Sequence, residues 1–236
     1  MNNDISSSFS IKKVFSTRSA RLRHLGLPAY SLGEELTNAI THGLGLLLSV
    51  AALVILIVVS APAHNPLQML CMLIYGVSLV LLYLCSTLYH AMGLNRAKQV
   101  FRVFDHCSIF LLIAGTYTPF TLLVVGGTWG LGIFIAVWLC AVLGIVLNAV
   151  SIKRFKAFSM ASYIGMGWCI VLVFGRLSAA LPELCTYLLL LGGLLYTFGA
   201  VIFKFGGKVG YMHALWHLFV LGGSIAHFFA IFLFIL

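Results

Sequence analysis

The sequence predicts an all-α polytopic membrane protein, a bundle of seven transmembrane helices. The first observation behind this prediction is composition. Of the 236 residues, 62% are hydrophobic and only 8% are charged, and the mean hydropathy is +1.11, whereas soluble domains are about half apolar. The second observation is that the apolar residues form long stretches without the two-residue alternation of a barrel strand.

Seven of these stretches are long enough to cross a bilayer, which takes roughly 20 residues of helix. Helix is the expected form because a segment that faces lipid must satisfy its backbone hydrogen bonds internally. The predicted spans are residues 38–60, 67–90, 104–125, 129–150, 157–177, 184–205 and 212–235.

The positions of Lys and Arg predict the orientation of the helices. Thirteen of the 14 precede the first span or lie in the second, fourth and sixth connections, and Arg176 alone lies on the other side. Because cytoplasmic loops carry such an excess, we expect a cytoplasmic N-terminus and an external C-terminus. The thirteen are Lys12, Lys13, Arg18, Arg21, Arg23, Arg96, Lys98, Arg102, Lys153, Arg154, Lys156, Lys204 and Lys208.

The first 30 residues are polar, Ser-rich and basic. We expect residues 1–30 to be mobile or to lie on the membrane surface, without a cleavable signal, in front of one transmembrane domain, residues 31–236. Ser31 and Glu34 have the Ser-x-x-Glu spacing of a capping box, which predicts that the first helix begins there. The net charge of +9 is explained by loop residues that orient helices and meet anionic headgroups, so no nucleic-acid partner is expected.

Four side chains suited to chemistry are predicted to meet at the cytoplasmic end of the bundle. His90 ends the second span, Asp105 begins the third, and His213 and His217 begin the seventh. Residues four apart lie on one face of a helix, so His213 and His217 can hold one metal ion, with His90 as a third ligand. Three protein ligands plus water are typical of catalytic zinc.

Two further residues are candidates for catalysis at this predicted site. Asp105 is predicted to polarise the bound water, to act as general base, or to orient a ligand. Ser86 lies one helical turn before His90 and is predicted to hydrogen-bond the water or a substrate carbonyl.

The other polar residues have plainer interpretations. His24, His64 and His106 are expected to be packing or interfacial residues, and His227 an interhelical hydrogen-bond donor or acceptor, too far from His217 for the same ion. Glu35, Asn38 and His42 form one polar stripe on the first helix. Two interpretations of this stripe remain open: contact with headgroups, or a wall of the same cavity.

Several motifs together resemble the bacterial hemolysin III family, which belongs to the progestin and adipoQ receptor group and is related to alkaline ceramidases. The resemblance covers all seven spans. It implies a seven-helix fold with a cytoplasmic N-terminus, a zinc ion held by His90, His213 and His217, and functional roles for Asp105 and Ser86. The motifs are Glu34-Glu35-Leu36-Thr37-Asn38 with Thr41-His42-Gly43, Ser86-Thr87-Leu88-Tyr89-His90, Asp105 with Gly115-Thr116-Tyr117-Thr118-Pro119, and His213-Ala214-Leu215-Trp216-His217.

The function expected from these patterns is zinc-dependent hydrolysis of a lipid amide or ester in the bacterial inner membrane, with membrane lipids as partners. A second hypothesis is a nonenzymatic regulator or sensor in which zinc ties helices together. A third is a cytolysin, although a pore is disfavoured because no continuous polar helix face follows Asp105.

Overall fold

The computed structural model describes residues 18–205 and 209–236, and these residues are almost entirely helical, with no strand among them. Lys12, Lys13 and Lys208 lie outside the described residues. A short helix, α1, covers residues 18–25. The other α-helices are α2 (Leu32–Ser60), α3 (Pro66–Ala91), α4 (Arg96–Pro119), α5 (Gly127–Trp168), α6 (Phe174–Ala180), α7 (Glu183–Phe203) and α8 (Met212–Phe234).

The start of α2 is fixed by the predicted capping box. The backbone N–H of Glu34 donates to Oγ of Ser31 at 3.2 Å, and the backbone N–H of Ser31 donates to Oε2 of Glu34 at 2.8 Å. These two bonds satisfy backbone donors that a helix end leaves free. The prediction of the first helix start is therefore confirmed, and α2 begins six residues before the predicted span limit of 38.

Within residues 18–205 and 209–236, six helical units are long and apolar enough to cross a membrane, and the prediction of an all-helical integral membrane protein is confirmed. Five of them correspond one to one with predicted spans. The predicted spans 129–150 and 157–177 both fall in the remaining unit. The six units are Leu32–Ala63, Pro66–Ala91, Arg96–Val125, Gly127–Ala180, Glu183–Phe203 and Met212–Phe234.

The long unit Gly127–Ala180 is not straight. Its 54 residues would extend about 80 Å as one helix, against about 30 Å of hydrocarbon. Ser151 has extended backbone angles, φ −168° and ψ 104°. Beyond it, Ser159 donates to Oδ1 of Asn148 at 2.7 Å, and Nδ2 of Asn148 donates to the Tyr163 hydroxyl at 3.3 Å. Since Asn148 and Tyr163 would be about 22 Å apart in a continuous helix, the two arms of α5 fold back beside each other.

The interior consists of two main apolar clusters. One lies mainly between α3 and α8, around the fully buried Tyr75, Leu56 and Ile231. The other joins α4 to both arms of α5, around Phe110 and Met166. Many large apolar side chains of α2, α5 and α7 are exposed, as expected where lipid rather than water surrounds the helices.

Residues 18–30 pack over one end of the bundle, and we call them the N-terminal cap. Leu22 and Leu27 are buried against Tyr89 of α3. Gln99 and Arg102 of α4 donate to the backbone carbonyls of residues 25 and 26, at 2.7 and 2.8 Å. These contacts dock residues 18–30 on α3 and α4, whereas the sequence predicted a segment that is mobile or lies on the membrane surface; the docking depends on leucines within an otherwise polar segment. Residues 1–17, the rest of the predicted N-terminal segment, lie outside the described residues.

Candidate metal centre

Three histidines from two helices come together at the end of the bundle that the cap covers. His90 lies in the last turn of α3, and His213 and His217 lie on one face of the first two turns of α8. One nitrogen from each ring lies within 4.8 Å of the others, and all three residues are buried. Zinc binds imidazole nitrogen at about 2 Å, so nitrogens as far apart as 4.8 Å would have to approach each other to hold one ion.

Helix α2 supplies hydrogen-bond partners for the Nδ1 atoms of two of these histidines. Nδ1 of His90 donates to Oε2 of Glu35 at 2.8 Å, because a carboxylate accepts hydrogen bonds and has none to give. The single hydroxyl hydrogen of Thr41 is directed to a backbone carbonyl of its own helix. Its oxygen therefore accepts from Nδ1 of His217, at 3.1 Å.

In the neutral imidazoles, both Nε2 atoms are therefore lone-pair acceptors. Nε2 of His90, Nε2 of His217 and both ring nitrogens of His213 are buried without a hydrogen-bond partner within the described part of the chain. Buried polar atoms are normally paired, so four unpaired imidazole nitrogens in one cluster need an explanation. Neutral imidazoles with outward hydrogen bonds to oxygen atoms are the usual arrangement of metal-ligating histidines, and the donor set fits a metal ion.

Glu35 also connects the cluster to a buried lysine. Oε1 of Glu35 lies 3.0 Å from Nζ of Lys98. The same ammonium donates to the backbone carbonyls of Tyr89 and Met92, at 2.7 and 3.2 Å, at the end of α3. A cation suits a helix C-terminus, where carbonyls lack intrahelical partners. Lys98 thus fixes the end of α3, and with it the position of His90.

The start of α8 is tied to α2 as well. Tyr211, the residue before α8, has a left-handed conformation with φ of 61°. Its backbone N–H donates to Oε1 of Glu34 at 3.1 Å. One glutamate therefore closes the capping box of α2 and holds the first turn of α8, which carries His213.

The polar stripe of α2 lies inside the bundle. Glu35, Asn38 and His42 are 7%, 0% and 1% exposed, so of the two interpretations left open by the sequence, contact with headgroups is wrong. The ring of His42 stacks on that of His217 with centroids 3.5 Å apart. In the sequence, the i, i+3, i+7 spacing of Glu35, Asn38 and His42 indicated that these three side chains share one face of α2. Thr41 entered the sequence analysis only within the Thr41-His42-Gly43 motif, and Lys98 only as a cation of the second connection; their contacts with His217 and Glu35 were not predicted.

The two predicted catalytic residues are both buried, at 0% exposed for Ser86 and 4% for Asp105. The hydroxyl of Ser86 has no hydrogen-bond partner among the described residues. Oδ2 of Asp105 lies 3.4 Å from Nδ1 of His106, which the sequence predicted to be a packing or interfacial residue. His227, as expected, makes an interhelical hydrogen bond: its Nε2 donates to the carbonyl of Leu189 on α7 at 3.2 Å.

A cavity of about 460 Å³ between α3, α4, α5, α7 and α8 adjoins the cluster at His213, the one of its three histidines that lines the wall. Its walls include Asp105, His213 and His42, and it extends along the bundle as far as His227. Most of the remaining wall is apolar or aromatic. These wall residues include Leu82, Ile109, Leu112, Ile113, Met160, Ile164, Trp168, Phe203, Trp216 and Val220.

The N-terminal cap contributes Tyr30 to this cavity. Its ring centroid lies 5.1 Å from that of His213 and 5.9 Å from that of His90. Burial, with the negative charges of Asp105 and Glu35 nearby, raises the pKa of the Tyr30 phenol well above its ordinary value. The hydroxyl therefore remains a neutral hydrogen-bond donor at physiological pH.

These features define an integral membrane protein of packed helices with a buried three-histidine cluster beside an internal cavity. Residues 30–228 match the family model described as haemolysin-III related. The chain is 44% identical over 202 residues to the hemolysin-3 homolog of Bacillus subtilis (strain 168), covering 86% of this chain and 94% of that protein. It is 42% identical to hemolysin-3 of Bacillus cereus over 203 residues, or 86% and 92% of the two chains. The chain belongs to the haemolysin-III-related family.

A more distant similarity extends to mammals. The monocyte to macrophage differentiation factor of Homo sapiens is 30% identical over 165 residues, which are 67% of each chain. The resemblance inferred from the motifs is thus confirmed at the level of the family.

Proposed function

We propose that the three histidines bind zinc and that the protein is a zinc-dependent hydrolase of acyl bonds, amide or ester, in membrane lipids. The observation that carries the proposal is the cluster of buried, unpartnered imidazole nitrogens of His90, His213 and His217. Three protein ligands leave a position for water, which distinguishes catalytic from structural zinc sites. When bound, zinc would lower the pKa of its water towards neutrality and polarise an acyl carbonyl.

The residues around the histidines have separate roles in this proposal. Glu35 and Thr41 hold the imidazoles of His90 and His217 in the tautomer that turns Nε2 inwards. Asp105 accepts a proton from the attacking water and returns it to the leaving amine or alcohol, so that one water is consumed for each acyl bond broken. Ser86 donates a hydrogen bond to the water or to the carbonyl oxygen.

The cavity supports a lipid as the substrate. Its largely apolar wall suits an acyl chain, whose transfer from water is favourable in proportion to the apolar area buried. The cap and the ends of the helices cover the histidines, and this exclusion of bulk water strengthens electrostatic interactions at the site.

We further propose that the long unit Gly127–Ala180 crosses the membrane twice. The reversal at Ser151 supports this assignment, which makes seven crossings in all. The asymmetry of Lys and Arg supports a cytoplasmic N-terminus and an external C-terminus. The proposed location is the bacterial inner membrane, with the histidines near the cytoplasmic face and residues 31–236 as one domain.

A nonenzymatic sensor is the second candidate function. The observation that favours it is that the histidine cluster joins α3 to α8 and, through Glu35, to α2. A metal here would stabilise the packing of three helices without any turnover. The third candidate, cytolysis, is supported only by the names of the Bacillus relatives.

The deciding experiment measures acyl-bond cleavage by the purified full-length protein in lipid. Ceramides, acyl esters and phospholipids are supplied, and fatty-acid release is followed with zinc present and after chelation. We expect fatty-acid release with zinc present, and we expect both chelation and His213→Ala to abolish it. His64→Ala, a change at an exposed histidine, should leave the release unchanged. Zinc binding without release from any of these lipids would favour the sensor. Leakage of red cells or vesicles without release would favour the cytolysin.

A further inference from the structure

Three cationic side chains line the cavity at the end where the histidines lie. They come from three different helical regions: Arg102 from α4, Lys156 from α5, and Lys204 directly after α7. Asp105 is the acidic residue in the cavity wall within the described part of the chain, and it already lies beside His106. This end of the cavity therefore carries excess positive charge.

The three cations have little to neutralise them. Among residues 18–205 and 209–236, none of the three forms a salt bridge. Arg102 uses Nη1 to hold the carbonyl of Gly26 in the cap, but its Nε is buried without a hydrogen-bond partner in the same ranges. Nζ of Lys156 lies over the ring of Phe203, 6.0 Å from its centroid.

The orientation rule for membrane proteins does not account for this arrangement. Lys153 and Arg154 precede Lys156 by only three and two residues and satisfy the same rule, yet neither lines this cavity. The rule requires cations at this end of the helices but does not require them to lie at the rim of a cavity, where Lys156 and Lys204 are exposed and Arg102 is half-buried. Three cations from three regions of the chain meet at one cavity mouth, and the orientation rule does not explain this arrangement.

The position of the cations relative to the histidines restricts the ligand. The ring of Phe203 lies near both groups: its centroid is 6.0 Å from Nζ of Lys156 and 5.7 Å from the ring centroid of His213. A free fatty acid has one polar end and cannot occupy the histidine cluster and the cation mouth together. A lipid whose acyl carbonyl and anionic head are a few covalent bonds apart can occupy both.

We propose that the cavity selects acyl lipids with a phosphate-bearing headgroup, held at its mouth by Arg102, Lys156 and Lys204. This inference rests on the proposed function, because it assumes that the cavity receives an acyl lipid. A phosphate offers several strong acceptor oxygens to donors that approach from different sides, and such charge-assisted hydrogen bonds are about twice as strong as neutral ones. Low-dielectric walls beside the mouth strengthen the attraction further.

The test measures binding rather than turnover, so that it stands apart from the hydrolase proposal. Two probes with the same chain are compared on the full-length protein in detergent: hexadecyl glyceryl ether phosphate and the neutral hexadecyl glyceryl ether. The ether bond cannot be hydrolysed as an acyl bond. The test protein carries Lys156→Gln and Lys204→Gln, and the matched control carries Lys153→Gln and Arg154→Gln, which remove the same charge outside the cavity.

We expect the unmodified protein to prefer the phosphate probe, and the Lys156/Lys204 double variant to bind that probe about 10-fold more weakly. The neutral probe should bind equally to all three proteins, and the control should retain the preference. Equal binding of the two probes by the unmodified protein overturns the proposal, as does equal weakening of phosphate binding in both double variants. If hydrolysis is absent while this preference is found, only the hydrolase proposal fails.

Discussion

The carboxylate of Glu35 on α2 and the imidazole of His90 on α3 are joined by a 2.8 Å hydrogen bond, and the same carboxylate lies 3.0 Å from the ammonium of Lys98. Glu35 therefore fixes the tautomer of His90 while it compensates a buried cation. Removal of one partner from such a pair leaves the other charge uncompensated.

Glu35→Gln is expected to lower zinc affinity about 10- to 100-fold, because outer partners orient metal-ligating histidines and increase their basicity. Competition with a zinc chelator of known affinity measures the change. Glu183→Gln, in the first turn of α7 at the far end of the bundle, serves as the control and should leave the affinity unchanged. If zinc affinity is unaltered in Glu35→Gln, Glu35 does not support zinc binding through His90.

Purified protein is expected to contain about one zinc ion per chain, and Ala in place of His90, His213 or His217 should lower this content sharply. Elemental analysis of the purified variants provides the measurement. The matched controls His24→Ala, His64→Ala and His227→Ala should retain the metal, since none belongs to the cluster. Full retention in His213→Ala would contradict the ligand set.

Asp105→Asn is expected to reduce acyl-bond hydrolysis by about 10² to 10⁴ with zinc still bound, because general-base assistance typically contributes that factor. Ser86→Ala should have a smaller effect if the hydroxyl only donates a hydrogen bond. Initial rates and zinc content are measured on the same preparations. Hydrolysis that continues at the normal rate in Asp105→Asn would exclude the carboxylate as the base.

Reporter fusions near residues 97 and 153 are expected to lie in the cytoplasm, and a C-terminal tag outside it, because Lys and Arg are concentrated on one side. Accessibility of the tags to protease or to an impermeant label in intact and opened cells gives the answer. A cytoplasmic C-terminal tag would contradict both the orientation and seven crossings with a cytoplasmic N-terminus.

Gly144→Ala is expected to destabilise the fold by about 1 to 3 kcal/mol, the usual cost of overpacking. An added Cβ at Gly144 would overlap the ring of Phe110, where α4 packs against α5. Gly132→Ala, on the same arm of α5, meets nothing within 4 Å and is the control. Thermal unfolding in detergent should separate the two variants; equal midpoints would show that this contact can relax freely.

Much of the fold could be predicted from the sequence because the relevant forces act locally. The length of an apolar stretch decides whether a helix can cross the bilayer, and the spacing of Ser31 and Glu34 decides where α2 begins. The three histidines were also predictable, since His213 and His217 share a helix face and alternating helix directions bring His90 to the same level.

The tertiary structure alone decided which groups surround these histidines. The contact of Glu35 with His90 joins residues 55 positions apart, and that of Thr41 with His217 joins residues 176 apart. Docking of residues 18–30 over α3 and α4 similarly depends on where Tyr89, Gln99 and Arg102 lie in space. Hydropathy and helical periodicity describe one segment at a time, whereas side-chain partners and cavities depend on how separate segments pack together.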